Sequence, residues 1–214
     1  LTLCAGTPPP GPLSDFAGLL HAAWGSGDGV QTVELRKRED EQAAGCVGAD
    51  VVHFDVPDCI YRKSPSGEPL YPRDVFGPPH PADVALPDRI ATALGSELLP
   101  GDLLVVPLGL GGHVDHQLVR LAAERLDCPL FYYADIPYLL NAPETLAPAV
   151  AGMQSRHFPV SQADLDLWLT GIAAYQSQLD SLLKIEGTLE EAVRGYWRDQ
   201  QGLRLWQVPI GEST

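Results

Sequence analysis

Short runs of apolar residues alternate along the chain with stretches in which apolar residues recur every three or four positions. The first pattern is typical of buried strands and the second of amphipathic helices. The apolar runs predict strands over residues 1–5, 51–56, 103–108, 130–133 and 203–208, the last of them at a sheet edge. The helical spacing predicts helices over residues 14–24, 33–47, 88–94, 115–126, 165–183 and 189–199.

This alternation predicts an α/β, Rossmann-like three-layer fold, in which helices cover both faces of a mostly parallel sheet. The 214 residues fit a single domain, and neither an internal repeat nor a separating linker interrupts them. In open sheets of this kind ligands bind at the carboxyl ends of the strands. We therefore expect functional side chains directly after the predicted strands.

Local signals place the ends of the first two helices. Ser14 is expected to cap the first helix through its hydroxyl group, and Gly48 to end the second in a left-handed conformation. The residues expected on the inner face of the first helix are Phe16, Leu19, Leu20 and Ala23.

Residues 57–87 carry many prolines and glycines and little periodicity. The segment therefore predicts a long irregular excursion. Excursions of this length are often binding loops, so it is a candidate for substrate selectivity or for subunit contacts in a homo-oligomer.

Charge and cysteine content narrow the function classes. The chain has 28 acidic and 14 basic residues and a net charge of −14, which argues against nucleic acid and anionic membranes as partners. No stretch approaches the roughly 18 apolar residues of a membrane-spanning helix. The four cysteines lie far apart without a Cys-x-x-Cys pair. Two disulfides remain open, but scattered cysteines in apolar contexts favour a reducing, cytoplasmic compartment.

The strongest chemical signal is His113-Val114-Asp115-His116, which follows the strand at 103–108 and the glycines of 109–112. Two imidazoles three residues apart can face one opening, where one binds a metal and the other donates to a substrate oxygen. Alternatively, the polar groups satisfy the free amides of a helix N-terminus. The residues alone favour the two interpretations equally. A phosphate loop fits poorly, because the segment matches neither glycine-rich phosphate motif.

Several short motifs occur in an order and spacing that resemble the PIG-L (LmbE-like) family of zinc-dependent de-N-acetylases. The similarity extends over nearly the whole chain. The matching segments are Arg36-x-x-Glu39-x-x-x-Ala43, His53-Phe54-Asp55-Val56-Pro57-Asp58, the His113–His116 motif, Tyr132-Tyr133-Ala134-Asp135-Ile136-Pro137-Tyr138 and Tyr175-Gln176-Ser177-Gln178.

The resemblance implies a role for each matching position. His116 would be a zinc ligand, with one divalent metal per subunit, and His113 would stabilise the oxyanion with Asp115 as its electrostatic partner. Arg36 would reach toward the acyl product, although a purely structural role for it is equally favoured, and Glu39 would be a structural ion-pair partner. Apart from the resemblance, Asp58 and Arg62 are candidates to line the cleft, although an aspartate in a turn is the commoner interpretation. Tyr133, Asp135 and Tyr138 lie at the carboxyl end of a predicted strand and are candidates to contact sugar hydroxyls, but core tyrosines with satisfied hydroxyls are favoured at least as much.

The implied reaction is zinc-dependent hydrolysis of an N-acetyl group on an amino sugar or glycoside, N-acetylglucosamine being typical of the family. The family draws its other two protein ligands and its general base from a His-Pro-Asp-Asp motif, which does not occur in this chain. The resemblance thus implies an N-terminally incomplete domain over 1–214 that lacks the family's first strand and helix. Two other hypotheses stay open: an inactive homologue acting as a binding or scaffold protein, and an unrelated doubly wound protein that binds a small anion at Gly109–Gly112.

Overall fold

A computed structural model describes residues 1–182, 187–200 and 202–209, of which 180–182 are described by their backbone. The helices are α1 Asp15–Ala23, α2 Gly29–Cys46, α3 Leu86–Glu97, α4 Val114–Ala123, α5 Tyr138–Asn141, α6 Leu146–Ala149, α7 Gln162–Ala173, α8 Gln176–Leu182 and α9 Leu189–Gln200. The strands are β1 Leu104–Pro107, β2 Leu130–Tyr133, β3 Gln154–Phe158 and β4 Leu203–Gln207. None of the helices in these described ranges has the length and apolar character needed to cross a membrane.

The four strands form one mixed sheet in the order β1-β2-β4-β3. Only β1 and β2 are parallel, whereas β4 runs antiparallel to both β2 and β3. The α/β class is therefore confirmed, but the expected mostly parallel sheet is not. The difference arises from β4, which runs antiparallel to both of its neighbours, and from β3, whose five exposed residues include only one apolar residue and show no apolar pattern. Because β3 pairs with the outer side of β4, the expected edge position of β4 is also wrong.

The first residues lie alongside residues 52–57, as the two predicted strands require. The pairing consists of isolated bridges, such as Thr2 with His53 and Gly6 with Pro57, and not of regular strands. The amide of Gly6 donates to the carbonyl of Val56 at 2.8 Å. A Cβ atom on Gly6 would lie 2.6 Å from the Val56 carbonyl carbon, so this close approach requires glycine.

The helix-end predictions are confirmed at two points. The Ser14 hydroxyl accepts a hydrogen bond from the amide of Ala17 at 3.1 Å, and Gly48 has a φ of 69°. Helix α2 begins four residues before its predicted start, because the Asp28 carboxylate caps it by accepting from the amide of Gln31.

The predicted inner face of α1 is confirmed for Phe16 and Leu20, which pack against the core, but not for Leu19 and Ala23, which are exposed. Ala17 and His21 are the buried residues of this helix, whereas Leu19 is 70% exposed. The buried face is set by His21, whose Nε2 lies 2.8 Å from the hydroxyl of Tyr61. A polar residue with a buried partner thus occupies a position that the apolar pattern assigns to solvent.

Residues 57–87 are irregular, as predicted, and contain only short 3₁₀ turns among their regular elements. They are nevertheless part of the core. Their buried side chains pack with Ala17, Val33 and Val114; they are Cys59, Ile60, Tyr61, Leu70, Tyr71 and Val75. The segment therefore forms one wall behind the start of α4.

The helix predicted over 165–183 is two helices, α7 and α8, separated at Ala174 and Tyr175; residue 183 lies outside the described residues. The hydroxyl of Tyr175 donates to the Asp40 carboxylate at 2.5 Å. The break thus ties α7 and α8 to α2, which also packs along α7.

Candidate active site and metal centre

A glycine loop turns the chain from β1 into α4. Gly109, Gly111 and Gly112 have φ values of 81°, 77° and 74°, a left-handed region that glycine adopts at little cost. His113 then becomes the N-cap of α4, because its Nδ1 accepts a hydrogen bond from the amide of Asp115 at 3.3 Å. The turn brings the rings of His113 and His116 to a centroid separation of 5.1 Å.

Asp135 binds His116 through the ring nitrogen Nδ1. This Nδ1 atom lies 2.5 Å from Oδ1 of Asp135, a carboxylate whose residue is only 1% exposed. The other carboxylate oxygen accepts from the amides of Gly109 and Leu110, both at 2.9 Å. A carboxylate on one nitrogen of an imidazole fixes its tautomer and orientation, and this arrangement is common behind metal-bound histidines. The Nε2 atom of His116 is therefore left for a ligand in the cleft.

His113 is suited to donate a hydrogen bond. Burial lowers the pKa of its imidazole, although the nearby Asp115 carboxylate opposes this effect. The neutral ring therefore dominates near neutral pH. Because Nδ1 accepts from a backbone amide, the proton is assigned to Nε2 from the hydrogen-bond geometry. This gives the site an uncharged N–H donor beside His116.

Asp115 is buried and fixed on both oxygens. Oδ2 accepts from the amide of Cys59 at 3.0 Å, and Oδ1 lies 2.6 Å from Nη2 of Arg62 as a close ion pair whose angles fall outside hydrogen-bond geometry. Arg62 also donates from Nε to Asp83 at 3.0 Å. Burial alone lowers the pKa of Arg62, but Asp115 and Asp83 outweigh it and raise the pKa above its usual value. Arg62 thus pairs with two buried carboxylates.

Arg36 contacts three residues from other parts of the chain. It donates to Asp58 at 3.3 Å and to Gln178 Oε1 at 2.8 Å, and its guanidinium stacks 4.1 Å from the centre of the Trp24 ring. Its companion Glu39 accepts from both the amide and the hydroxyl of Ser177. Glu39 is structural, as expected, but its partner is a serine and not a cation.

One cleft of about 750 Å³ joins most of the expected site residues. Those that line it are Asp58, His113, Asp115, His116, Tyr133 and Tyr138. Arg36, Arg62 and Asp135 do not line it: Arg36 lines an adjoining cavity of about 210 Å³ that shares Asp58, and the other two are buried behind the histidines. The apolar part of the cleft wall includes Leu94, Leu98, Val105 and Val119.

Tyr133 and Tyr138 keep their protons in this cleft. Burial and then the Asp135 carboxylate raise the pKa of each hydroxyl to about 12. Two neutral hydroxyls, which both donate and accept hydrogen bonds, therefore face the same space as the histidines.

Two polar features near the site are not predicted from the sequence. Asp83 carries no motif, and its role depends on Arg62 and the Tyr71 hydroxyl, which donates to it at 2.7 Å. Cys59 is a buried thiol, as an isolated cysteine predicts, but it lies in a polar setting. Cys59, His113 and Asp115 each offer a ligand atom, and these atoms lie within 4.8 Å of one another.

The fold has solved neighbours. The chain is similar to the zinc-inhibited form of teicoplanin deacetylase Orf2, with a TM-score of 0.82 and 22% identity over 100% of this chain and 87% of that one. It is also similar to the A40926 pseudoaglycone deacetylase Dbv21, with a TM-score of 0.75 and 23% identity over 100% of this chain and 85% of the other. No family model and no curated protein matches the sequence. The chain therefore has the fold of these deacetylases.

Proposed function

We propose that the chain is a zinc-dependent amide hydrolase of the PIG-L (LmbE-like) type, a single domain over 1–214 that removes an N-acetyl group from an amino sugar or glycoside. One observation carries the proposal: Asp135 holds His116 by Nδ1 and leaves Nε2 for the cleft, where the neutral His113 stands beside it. The shared fold with deacetylases supports the same reaction class.

His116 presents Nε2 to the cleft, and an imidazole nitrogen is a donor that suits zinc. Zinc, when bound, lowers the pKa of a coordinated water and polarises the acetyl carbonyl. The resemblance assigns the other protein ligands to His-Pro-Asp-Asp, a motif that the sequence does not contain. His116 is therefore the one ligand proposed for the catalytic zinc from this chain's own residues.

Of the chain's own residues, His113 acts on the acetamide oxygen and Asp115 supports it. In hydrolysis a water oxygen bonds to the carbonyl carbon, the C–N bond breaks, and the amine leaves with a proton while acetate forms. His113 donates its Nε2 proton in a hydrogen bond to the carbonyl oxygen as negative charge develops there. Asp115 holds the start of α4 in place and supplies the negative charge that favours this polarised imidazole.

The substrate proposal follows from the remaining cleft residues. A volume of about 750 Å³ suits a small glycoside, and Asp58, Tyr133 and Tyr138 supply hydrogen-bonding groups for sugar hydroxyls. The deacetylase neighbours include one in complex with teicoplanin. All four cysteines are free thiols, which supports the cytoplasm as the proposed compartment.

The test is acetate release from an N-acetylglucosaminide by the full chain in the presence of zinc. His113→Ala should reduce turnover by about 100- to 1,000-fold, as expected for the loss of one oxyanion donor, while zinc is still bound at His116. His116→Ala should abolish turnover and remove the zinc bound at that histidine. His157→Ala is the matched control, because His157 is an exposed residue of β3 outside the cleft. A folded wild type that binds no zinc and releases no acetate would refute the proposal and favour the inactive homologue.

A further inference from the structure

The reaction proposed above leaves the thiol of Cys59 without a role. Cys59 is completely buried, yet its neighbours are polar: its amide donates to Asp115, and its Sγ lies 3.4 Å from Oδ1 of Asp58. A buried thiol is usually surrounded by apolar atoms. This one instead faces a carboxylate and an imidazole that open into the cleft.

We propose that Cys59, His113 and Asp115 form a second metal site, which binds a thiol-preferring divalent cation such as zinc. Their ligand atoms lie within 4.8 Å of one another, whereas the donors of a tetrahedral zinc ion are about 3.5 Å apart. Closing the widest pair therefore requires a movement of about 1 Å, which rotation of the side chains can provide.

One imidazole, one carboxylate and one thiolate are a donor set that favours zinc over magnesium or calcium, because thiolates are soft ligands.

The local charge favours a divalent cation. Three carboxylates, Asp58, Asp83 and Asp115, face two guanidinium groups, Arg36 and Arg62, which leaves a net charge of −1. Metal binding releases the Cys59 proton to solvent as the sulfur–metal bond forms, and the net charge becomes −2. A divalent cation balances that charge.

The site would compete with the proposed reaction. It takes up His113, the oxyanion donor, and Asp115, its partner. Excess zinc should therefore inhibit turnover, a consequence that rests on the proposed function. The metal site itself does not rest on it.

Cobalt(II) provides the test, because bonds from thiolate sulfur to cobalt give a charge-transfer band in the near ultraviolet. Titration of the reduced, metal-free chain should produce this band with saturation at one thiol-bound equivalent, and zinc should abolish it by displacement. Cys59→Ser should remove the band and weaken binding at this site by more than about 100-fold. Cys128→Ser, which changes a thiol outside the cleft, should leave the band unchanged.

Two results would overturn the proposal: no band in the folded wild type, or an unchanged band in Cys59→Ser. If Cys59→Ser does not fold, Cys59→Ala replaces it and should likewise give no band, whereas an unchanged band in that variant contradicts the site. His116→Ala should keep the band, so the thiol site and the proposed catalytic metal can fail separately.

Discussion

Replacement of Asp135 by asparagine tests how His116 is prepared as a ligand. The amides of Gly109 and Leu110 both donate to Oδ2 of Asp135, so the oxygen of the new amide should take that position. Its NH₂ group then faces Nδ1 of His116 and donates to it. An imidazole that accepts at Nδ1 carries its proton on Nε2, which is the atom that a metal requires.

The magnitude follows from the lost carboxylate. Removing the partner behind a metal-bound histidine typically costs about 10- to 100-fold in metal affinity, or about 1.4–2.7 kcal/mol. The fold should lose less, because the two backbone amides keep an acceptor; the change from charged to neutral bonds costs about 1 kcal/mol for each. Asp135→Ala is harsher, since two buried amides lose their acceptor at about 1–3 kcal/mol each.

The assay is zinc competition against a chromophoric chelator, with nitrogen NMR of His116 to identify the tautomer and urea unfolding to measure stability. Asp164→Asn is the matched control, because the Asp164 carboxylate caps α7 at the surface. The control should bind zinc like the wild type. A folded Asp135→Asn variant with wild-type zinc affinity, or with an unprotonated Nε2 on His116, would refute this account of the ligand.

Three further predictions concern the surroundings of the site. Burial lowers the pKa of His21 below its usual 6.5. As the pH decreases, the unfolded state therefore binds the proton first, and the free energy of unfolding should fall below pH 6.5. Urea unfolding at several pH values should show a shallower fall for His21→Gln than for the wild type, and an equal fall would contradict the assignment to His21. Arg62→Ala leaves two buried carboxylates unpaired and should cost about 3–5 kcal/mol in the same unfolding assay, whereas a loss below about 1 kcal/mol would show that the pair contributes little. Gly111→Ala places a Cβ atom 2.6 Å from the Tyr138 ring. Its free energy of unfolding should fall by about 1–3 kcal/mol more than that of Gly112→Ala, because residue 112 has a similar φ but its nearest contact would be at 3.8 Å. Equal losses of stability in the two variants would mean that Tyr138 moves freely.

The elements that the sequence predicts well are those specified by local chemistry. Ser14 caps α1 by binding an amide three residues away, and β2 has the predicted bounds, with Phe131 and Tyr132 buried at the centre of its apolar run. The position of His113 and His116 follows equally from the glycines after β1. In each case the deciding contact lies within a few residues of the signal.

The errors concern contacts between distant segments. Strand β3 is exposed along its length and pairs with β4. Its sequence has no apolar periodicity from which the strand could be predicted. Asp135 is expected to contact substrate from its place in a motif, whereas the structure puts it behind His116, 19 residues away in sequence. Cys59 and Arg62 likewise acquire their surroundings from the excursion that folds back onto α4.

The central claim is that His116 binds the metal through Nε2 in the cleft beside His113. Anomalous diffraction at the zinc absorption edge, on crystals of the chain grown with enough zinc to fill both proposed sites, tests it directly. The account predicts a peak at about 2.0–2.1 Å from Nε2 of His116, and its absence in His116→Ala. A zinc peak found only at Cys59, or none within bonding distance of His116, would contradict it.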